Sequence, residues 1–329
     1  MRIGADLTQG PILVGIDFSP ASQAAMEYAS GLAHAESKPL YVVYVMPIIP
    51  EDSAPLLDVQ EAELKLRVEK AAQALRDSGI TVKGMLAVGN AAQKLIQIAD
   101  KLDAACIVVG TEGVQGFDRL LLGSVAETVI RKSDRPVIVV GPQAAKETAE
   151  TLPWKHLMLA CDTAHGVTEA ARLAGNIAVS HHARLTIFHV KEEGLQRLTE
   201  DEFTTMEKMM RPDAWLTVKP QCLIRTGEPA QEIIRMVQDS HADLLVMSVQ
   251  SSGEMLTHLR GGIIAKVLRM ARCPALILRD VAAGHHIGRN GHLTDAITAE
   301  LREVKALLQF HSGAALCVRL ELPDAPPLL

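Results

Sequence analysis

Eight short apolar runs constrain the fold of this chain more than any other feature. They contain few polar residues and read ILVGI, LYVVYV, CIVVG, PVIVV, LMLA, LTIFHV, DLLVMS and PALIL. A strand with one solvent-exposed face alternates apolar and polar residues, whereas a strand buried on both faces is continuously apolar. The runs therefore predict a parallel sheet that is covered by helices on both faces.

Stretches with helical periodicity separate these runs. One begins with Ser19 as the predicted N-cap and Pro20 at the first helical position. Another carries apolar residues at helical spacing and ends at Gly79. Because strands and helices alternate along the chain, the predicted class is α/β with a doubly wound sheet.

The same pattern occurs twice. VGNAAQKLIQIADKLDAACIVVG has the layout of TGEPAQEIIRMVQDSHADLLVMS. Three matched pairs stand at the same offset: Gly89 with Gly227, Gly123 with Gly261, and Pro136 with Pro274. Asp17 and Asp162, near the start of each copy, match at a slightly larger offset. We interpret residues 10–142 and 153–281 as tandem copies joined by a polar linker. An extension, 282–329, follows and is predicted to hold a helix and a short strand.

Composition excludes several classes of protein. The chain of 329 residues is 48% hydrophobic, has a net charge of −6 and is only 3% aromatic. A nucleic-acid binder needs a basic face, often with stacking rings, so this class is excluded. No stretch is long and apolar enough for a membrane span or a signal peptide, and no cysteine pair lies close in sequence. We expect a soluble, cytoplasmic protein.

A set of small residues follows the apolar run CIVVG. Gly110 is its last residue, Gly113 follows shortly after, and beyond nine intervening residues Gly123 and Ser124 open a helix. Glycines beyond a buried strand let a ligand approach the backbone, and the N–H groups of a helix N-terminus favour phosphate. The alternative is that each glycine only ends a strand or begins a helix. The spacing is neither a Walker A loop nor a dinucleotide-binding fingerprint.

This motif resembles the ATP-binding motif of the universal stress proteins. The pattern G-x-x-G, nine residues and then G-S is followed by a helix and by PVIVV. The resemblance extends over both copies and identifies the chain as a tandem member. It implies a five-stranded parallel sheet in the order 3-2-1-4-5 in each copy, with helices on both faces.

The resemblance also implies a set of nucleotide-binding residues in the first copy. Asp17 would lie near the adenine and ribose, and Val45 and Val109 would border the base. Gly110 and Gly113 would flank the ribose and phosphates. Backbone N–H groups of the helix start, with the serine hydroxyl, would bind the phosphates: Gly123, Ser124, Val125 and Ala126. ATP or another adenine nucleotide is the implied ligand, with Mg²⁺ bridging its phosphates rather than bound in a protein cage.

The second copy departs from the motif. Ser248 and Ser251 stand where the first copy has Gly110 and Gly113, and Gly262 replaces the serine. We therefore expect no ATP binding of this kind in the second copy, although Asp162 is kept. Family members pair through strand 5, so the resemblance implies that the second copy acts as an intramolecular pseudo-dimer partner. Since the fold tolerates the serines, we attribute the glycines of the first copy to a ligand.

Two other functions remain open from the sequence. One is a weak ATPase or an enzyme that phosphorylates itself, for example on Ser124, although no nucleophile and base stand at a suggestive spacing. The other is a structural interaction protein that uses neither site. An ATP-bound sensor that signals to an unknown protein partner is the expectation we adopt, and a further homodimer is possible. The adjacent histidines at 181–182 and 285–286 are expected to be surface or interface residues rather than metal ligands.

Overall fold

The computed structural model describes residue 7 and the ranges 9–48, 54–111, 122–146, 152–162, 169–191, 218–250 and 262–280. Gly113, Ser251 and the extension 282–329 lie outside the described residues. Within the described part, no helix combines the length and the apolar character that crossing a membrane requires.

The first copy alternates strands and helices as predicted. Its elements, in chain order, are β1 Ile12–Ile16, α1 Pro20–Ala35, β2 Leu40–Met46, α2 Ala54–Arg76, β3 Val82–Val88, α3 Ala91–Lys101, β4 Cys106–Gly110, α4 Ser124–Lys132 and β5 Val137–Val140. Helix α1 begins where the sequence predicts, because the Ser19 side chain accepts a hydrogen bond from the Ser22 N–H and Pro20 occupies the first turn.

The second copy repeats this alternation. Its described elements are β6 His156–Ala160, α5 Glu169–Ser180, β7 Arg184–Lys191, β8 Gln221–Thr226, α6 Pro229–Ser240, β9 Leu244–Gln250, α7 Ile263–Met270 and β10 Ala275–Asp280. A short 3-10 turn, Ala144–Lys146, lies between the copies.

All ten strands belong to one sheet in the order β3-β2-β1-β4-β5-β10-β9-β6-β7-β8. Within each copy the strands are parallel and follow the order 3-2-1-4-5, so the predicted topology is confirmed. The order reverses between β1 and β4, and the crevice beyond their carboxyl ends is where open α/β sheets bind ligands.

The two copies join through their fifth strands. Strand β5 pairs antiparallel with β10, in a register that places Ile138 opposite Leu276. Next to this pairing, Gly141 lies so close to α7 that a Cβ built on it would be 2.0 Å from the Leu268 carbonyl oxygen. Asp134 and Arg279 form an ion pair across the same junction. The ten strands are thus one continuous sheet rather than two adjacent sheets.

Hydrogen bonds and a ring contact near α1 also link the two copies. The indole N–H of Trp154, near the start of the second copy, donates to the Tyr28 hydroxyl of α1 at 3.0 Å. The His181 ring lies 4.9 Å from the Trp154 ring, and its Nε2 is 3.0 Å from a Glu36 carboxylate oxygen. His181 is therefore an interface residue, and α1 of the first copy is held directly by residues of the second.

Helices cover both faces of the sheet, and each face has a hydrophobic core that spans both copies. Buried side chains of α1 and α5 lie in one core, whereas those of α3, α4, α6 and α7 lie in the other. Cys106 belongs to the first core, where burial raises the pKa of its thiol to about 12. It is therefore a protonated core residue rather than a reactive thiolate.

Candidate functional site

The predicted site residues converge at the carboxyl edge of β1, β2 and β4. Ile16 pairs with Tyr44, so the next residue of each strand, Asp17 and Val45, stand side by side. The β1–β4 register, continued by three residues from its last pair, places Asp17 beside Thr111. The order of strands thus brings Val45, Asp17 and Thr111 into one row at the switch point.

The turn after β1 holds the Asp17 carboxylate in a defined orientation. Asp17 Oδ1 accepts the Ser19 N–H at 2.9 Å, and the Asp17 N–H donates to the Ser22 hydroxyl at 3.2 Å. The first bond fixes the carboxylate at Ser19, the N-cap of α1, and the second fixes the Asp17 backbone to the first turn of that helix. Asp17 is therefore positioned at the edge by the helix that follows it.

Phe18 occupies a strained backbone conformation inside this turn. Its φ is 63°, a left-handed value that L-residues other than glycine, asparagine and aspartate rarely adopt. Its ring stacks on Tyr44 with centroids 5.3 Å apart, and the Arg67 guanidinium lies 4.1 Å from its centroid. Such strain costs about 1–3 kcal/mol and persists where surrounding contacts fix the residue. Contacts from β2 and α2 thus maintain the conformation of the Asp17 turn.

Gly110 has a structural role that the sequence argument missed. A Cβ built on Gly110 would lie 2.6 Å from the Ala21 carbonyl oxygen, so α1 packs directly against the end of β4. The left-handed glycines of the described residues are Gly10, Gly79, Gly89 and Gly227, and Gly110 is not among them. Close approach of the α1 backbone is thus a second reason for glycine at this position, and the attribution to a ligand stays a prediction.

The two ends of the loop between β4 and α4 are tied together. The Gly123 N–H donates to the Thr111 carbonyl at 2.6 Å. We expected this N–H to be offered to a phosphate, and that expectation is corrected because the N–H already has a backbone acceptor. The same bond places Thr111 directly beside the first residue of α4.

Helix α4 begins without a side-chain cap. Gly123 stands at its N-cap, and no side chain accepts a hydrogen bond from the first turn. Helices α1, α3 and α6 begin differently, since their N-cap residues Ser19, Asn90 and Glu228 each accept a first-turn N–H. Helix α7, the counterpart of α4 in the second copy, also begins at a glycine without a side-chain cap, so the preceding glycine motif rather than the uncapped start distinguishes the first copy. The N–H groups at an uncapped helix start and the helix dipole favour an anion at this position.

The four predicted residues around this helix start divide into two pairs. Ser124 and Val125 are exposed. Val109 and Ala126 are only 3% and 2% exposed, and their side chains belong to the core that α3 and α4 cover. Ser124 and Val125 are thus accessible to a ligand, whereas the Val109 and Ala126 side chains are buried below the site and contribute to it through packing.

The equivalent edge of the second copy has different chemistry. Ser248 pairs with Leu278 as Gly110 pairs with Val140, which confirms that the serine stands at the glycine's position. The His189 ring Nδ1 lies 3.0 Å from the Cys161 carbonyl oxygen. Among the residues that the structure describes, no group of three histidine, cysteine, aspartate or glutamate side chains is placed to hold a metal ion.

Comparisons with known proteins match both copies. A family model described as the universal stress protein family matches residues 10–141 and 153–279. A universal stress protein of Mycolicibacterium smegmatis is 25% identical over 295 residues, which cover 83% of this chain and 98% of that relative. One of Methanocaldococcus jannaschii is 32% identical over 136 residues, 39% of this chain and 80% of the relative.

A solved structure shares the fold of both copies. The universal stress protein from Archaeoglobus fulgidus superposes with a TM-score of 0.65 at 20% identity, covering 84% of this chain and 98% of that one. At this identity the similarity concerns the architecture alone, and it agrees with the strand order described above.

Proposed function

The chain belongs to the universal stress protein family, and we propose that its first copy, residues 10–142, is an adenine-nucleotide-binding domain that reports its occupancy to a protein partner. The observation that carries this proposal is the uncapped start of α4, which follows the glycine motif at the switch point of the sheet. Asp17 lies at the same edge with its carboxylate held by α1. Exposed N–H groups on one side and a fixed carboxylate on the other suit a nucleotide with phosphate and ribose ends.

The second copy has a structural role in this proposal. Residues 153–281 serve as the intramolecular partner of the first copy, which is supported by the antiparallel pairing of β5 with β10. A side chain at Ser248 stands where the first copy has Gly110, and we propose that this copy does not bind ATP in the same way. One nucleotide site on a two-copy chain suits a sensor better than a two-site catalyst.

The nucleotide is proposed to bind as a complex with Mg²⁺. The first-turn N–H groups of α4 and the Ser124 hydroxyl would hold the phosphates. The ion would bridge the phosphate oxygens, because Mg²⁺ usually keeps several waters and binds through substrate phosphates.

Replacing Gly123 with valine tests this assignment. A branched side chain at the N-cap of α4 would cover the N–H groups of the first turn and remove their bonds to phosphate. Loss of one charge-assisted hydrogen bond weakens affinity by about tenfold to a hundredfold. Isothermal titration of ATP with Mg²⁺ into the full-length chain measures this change.

The second copy supplies the matched control for this experiment. Gly261 is the counterpart of Gly123 at the same offset, so Gly261→Val introduces the same side chain outside the proposed site. We expect Gly261→Val to keep the wild-type affinity for ATP. Equal affinity in wild type, Gly123→Val and Gly261→Val would contradict the assignment, as would a wild-type chain that binds no ATP.

A further inference from the structure

The Thr111 hydroxyl is a buried polar group at the end of β4. Thr111 is 1% exposed, and among the residues that the structure describes its Oγ1 has no hydrogen-bond partner. Buried hydroxyls in folded proteins nearly always have a partner, and a missing one is costly. An isolated hydroxyl at the end of β4 therefore requires an explanation.

The second copy shows that the fold does not need this hydroxyl. Gly110 pairs with Val140 as Ser248 pairs with Leu278. The next residues along the chain, Thr111 and Val249, are therefore equivalent. Val249 is buried at 4% exposure and packs in the hydrophobic core. Valine and threonine have nearly the same shape, so the first copy carries a polar atom where the second carries a methyl group. The polar atom is present only in the copy with the complete glycine motif.

The position of Thr111 directs its side chain toward the start of α4. Side chains alternate between the two faces of β4, and Ile107 and Val109 face the core that contains Leu122 and Ala126. Thr111 is the next residue on that face. Its carbonyl accepts the Gly123 N–H, so the residue is adjacent to the uncapped helix start.

We propose that the Thr111 hydroxyl donates a hydrogen bond to a phosphate oxygen of the bound nucleotide. This inference rests on the proposed function and adds to it a binding residue at the first variable position of the G-x-x-G pattern. The hydroxyl provides a buried donor, and the first-turn N–H groups of α4 provide neighbouring exposed donors. A phosphate placed between them satisfies both sets.

The test compares Thr111→Val with wild type in the full-length chain. Because the hydroxyl has no partner without ligand, Thr111→Val should show an equal or higher melting temperature in the absence of nucleotide. Its affinity for ATP should fall by about tenfold to a hundredfold, as expected for a lost hydrogen bond to a charged group. Thr111→Ser, which keeps the hydroxyl, should bind ATP within about threefold of wild type.

Val249→Thr is the matched control in the second copy. It places a hydroxyl in the equivalent buried position, so it should lower the melting temperature and leave ATP affinity unchanged. A second ligand locates the contact: adenosine, which has no phosphate, should bind Thr111→Val and wild type equally well.

The outcomes separate this inference from the proposed function. If wild type binds no ATP, the proposed function fails and the inference fails with it. If wild type binds ATP and Thr111→Val binds it equally tightly, the inference is overturned while the proposed function stands. If Thr111→Val loses affinity for ATP and adenosine by the same factor, the assignment of the hydroxyl to phosphate is overturned.

Discussion

Replacing Trp154 with alanine should lower the free energy of unfolding by about 3–5 kcal/mol, the usual cost of truncating a buried tryptophan. Trp154 is 1% exposed and lies between the two copies. The substitution also leaves the buried Tyr28 hydroxyl without the indole donor and removes the ring that packs against His181. Urea unfolding followed by circular dichroism measures the change and does not depend on tryptophan fluorescence.

Two further variants test whether the loss of stability in Trp154→Ala comes from the contact between the two copies. Trp154→Phe keeps an aromatic ring and removes the N–H, so it should lower the free energy of unfolding by less than Trp154→Ala does. Leu66→Ala truncates a large apolar side chain that is 56% exposed, and it should change stability by no more than about 0.5 kcal/mol. A Trp154→Ala chain that is as stable as Leu66→Ala would show that the copies do not depend on this contact.

Replacing Gly141 with alanine should have the second largest effect, a loss of about 3 kcal/mol in the free energy of unfolding. The added Cβ would lie 2.0 Å from the Leu268 carbonyl oxygen. That contact joins two backbones, one directly after β5 and one inside α7, so no side-chain rotation can relieve it. Relief requires a shift of one backbone relative to the other, next to the strand pairing that joins the copies.

Gly31→Ala is the control for this substitution. Gly31 lies inside α1, and a Cβ there would be 3.2 Å from the tip of the Leu152 side chain, which can move. Alanine is also favoured over glycine in a helix by about 1 kcal/mol. Gly31→Ala should therefore stay within about 1 kcal/mol of wild type. If Gly141→Ala were equally stable in thermal and urea unfolding, the packing of β5 against α7 would not be a strong constraint.

Local and periodic features of the fold were predictable from the sequence. Continuous apolar runs predicted strands that are buried on both faces, and Ser19 with Pro20 predicted the start of α1. Both depend on residues close together in the chain. The glycine motif, through its resemblance to a known family, predicted the strand order that brings Asp17 beside the end of β4.

Contacts between distant parts of the chain were not predictable in the same way. Gly110 packs against the Ala21 carbonyl, and the Gly123 N–H donates to the Thr111 carbonyl, so each has a partner that no local pattern indicates. Trp154 directly follows a polar linker, and nothing in the sequence indicated Tyr28 as its partner.

One of the missed residues did leave a signal in the sequence. Aligning the copies places Thr111 opposite Val249, a polar residue against an apolar one of the same shape. In a duplicated chain, such a difference at the end of a buried strand indicates a position where one copy has kept a chemical role.

The most direct test of the account is the number of ATP molecules that one full-length chain binds. Native mass spectrometry of the wild-type protein titrated with ATP and Mg²⁺ gives this number. We predict one ATP per chain, retained by Gly261→Val and lost or strongly reduced in Gly123→Val. A wild-type chain that binds no ATP, or two ATP molecules of which one persists in Gly123→Val, would contradict it.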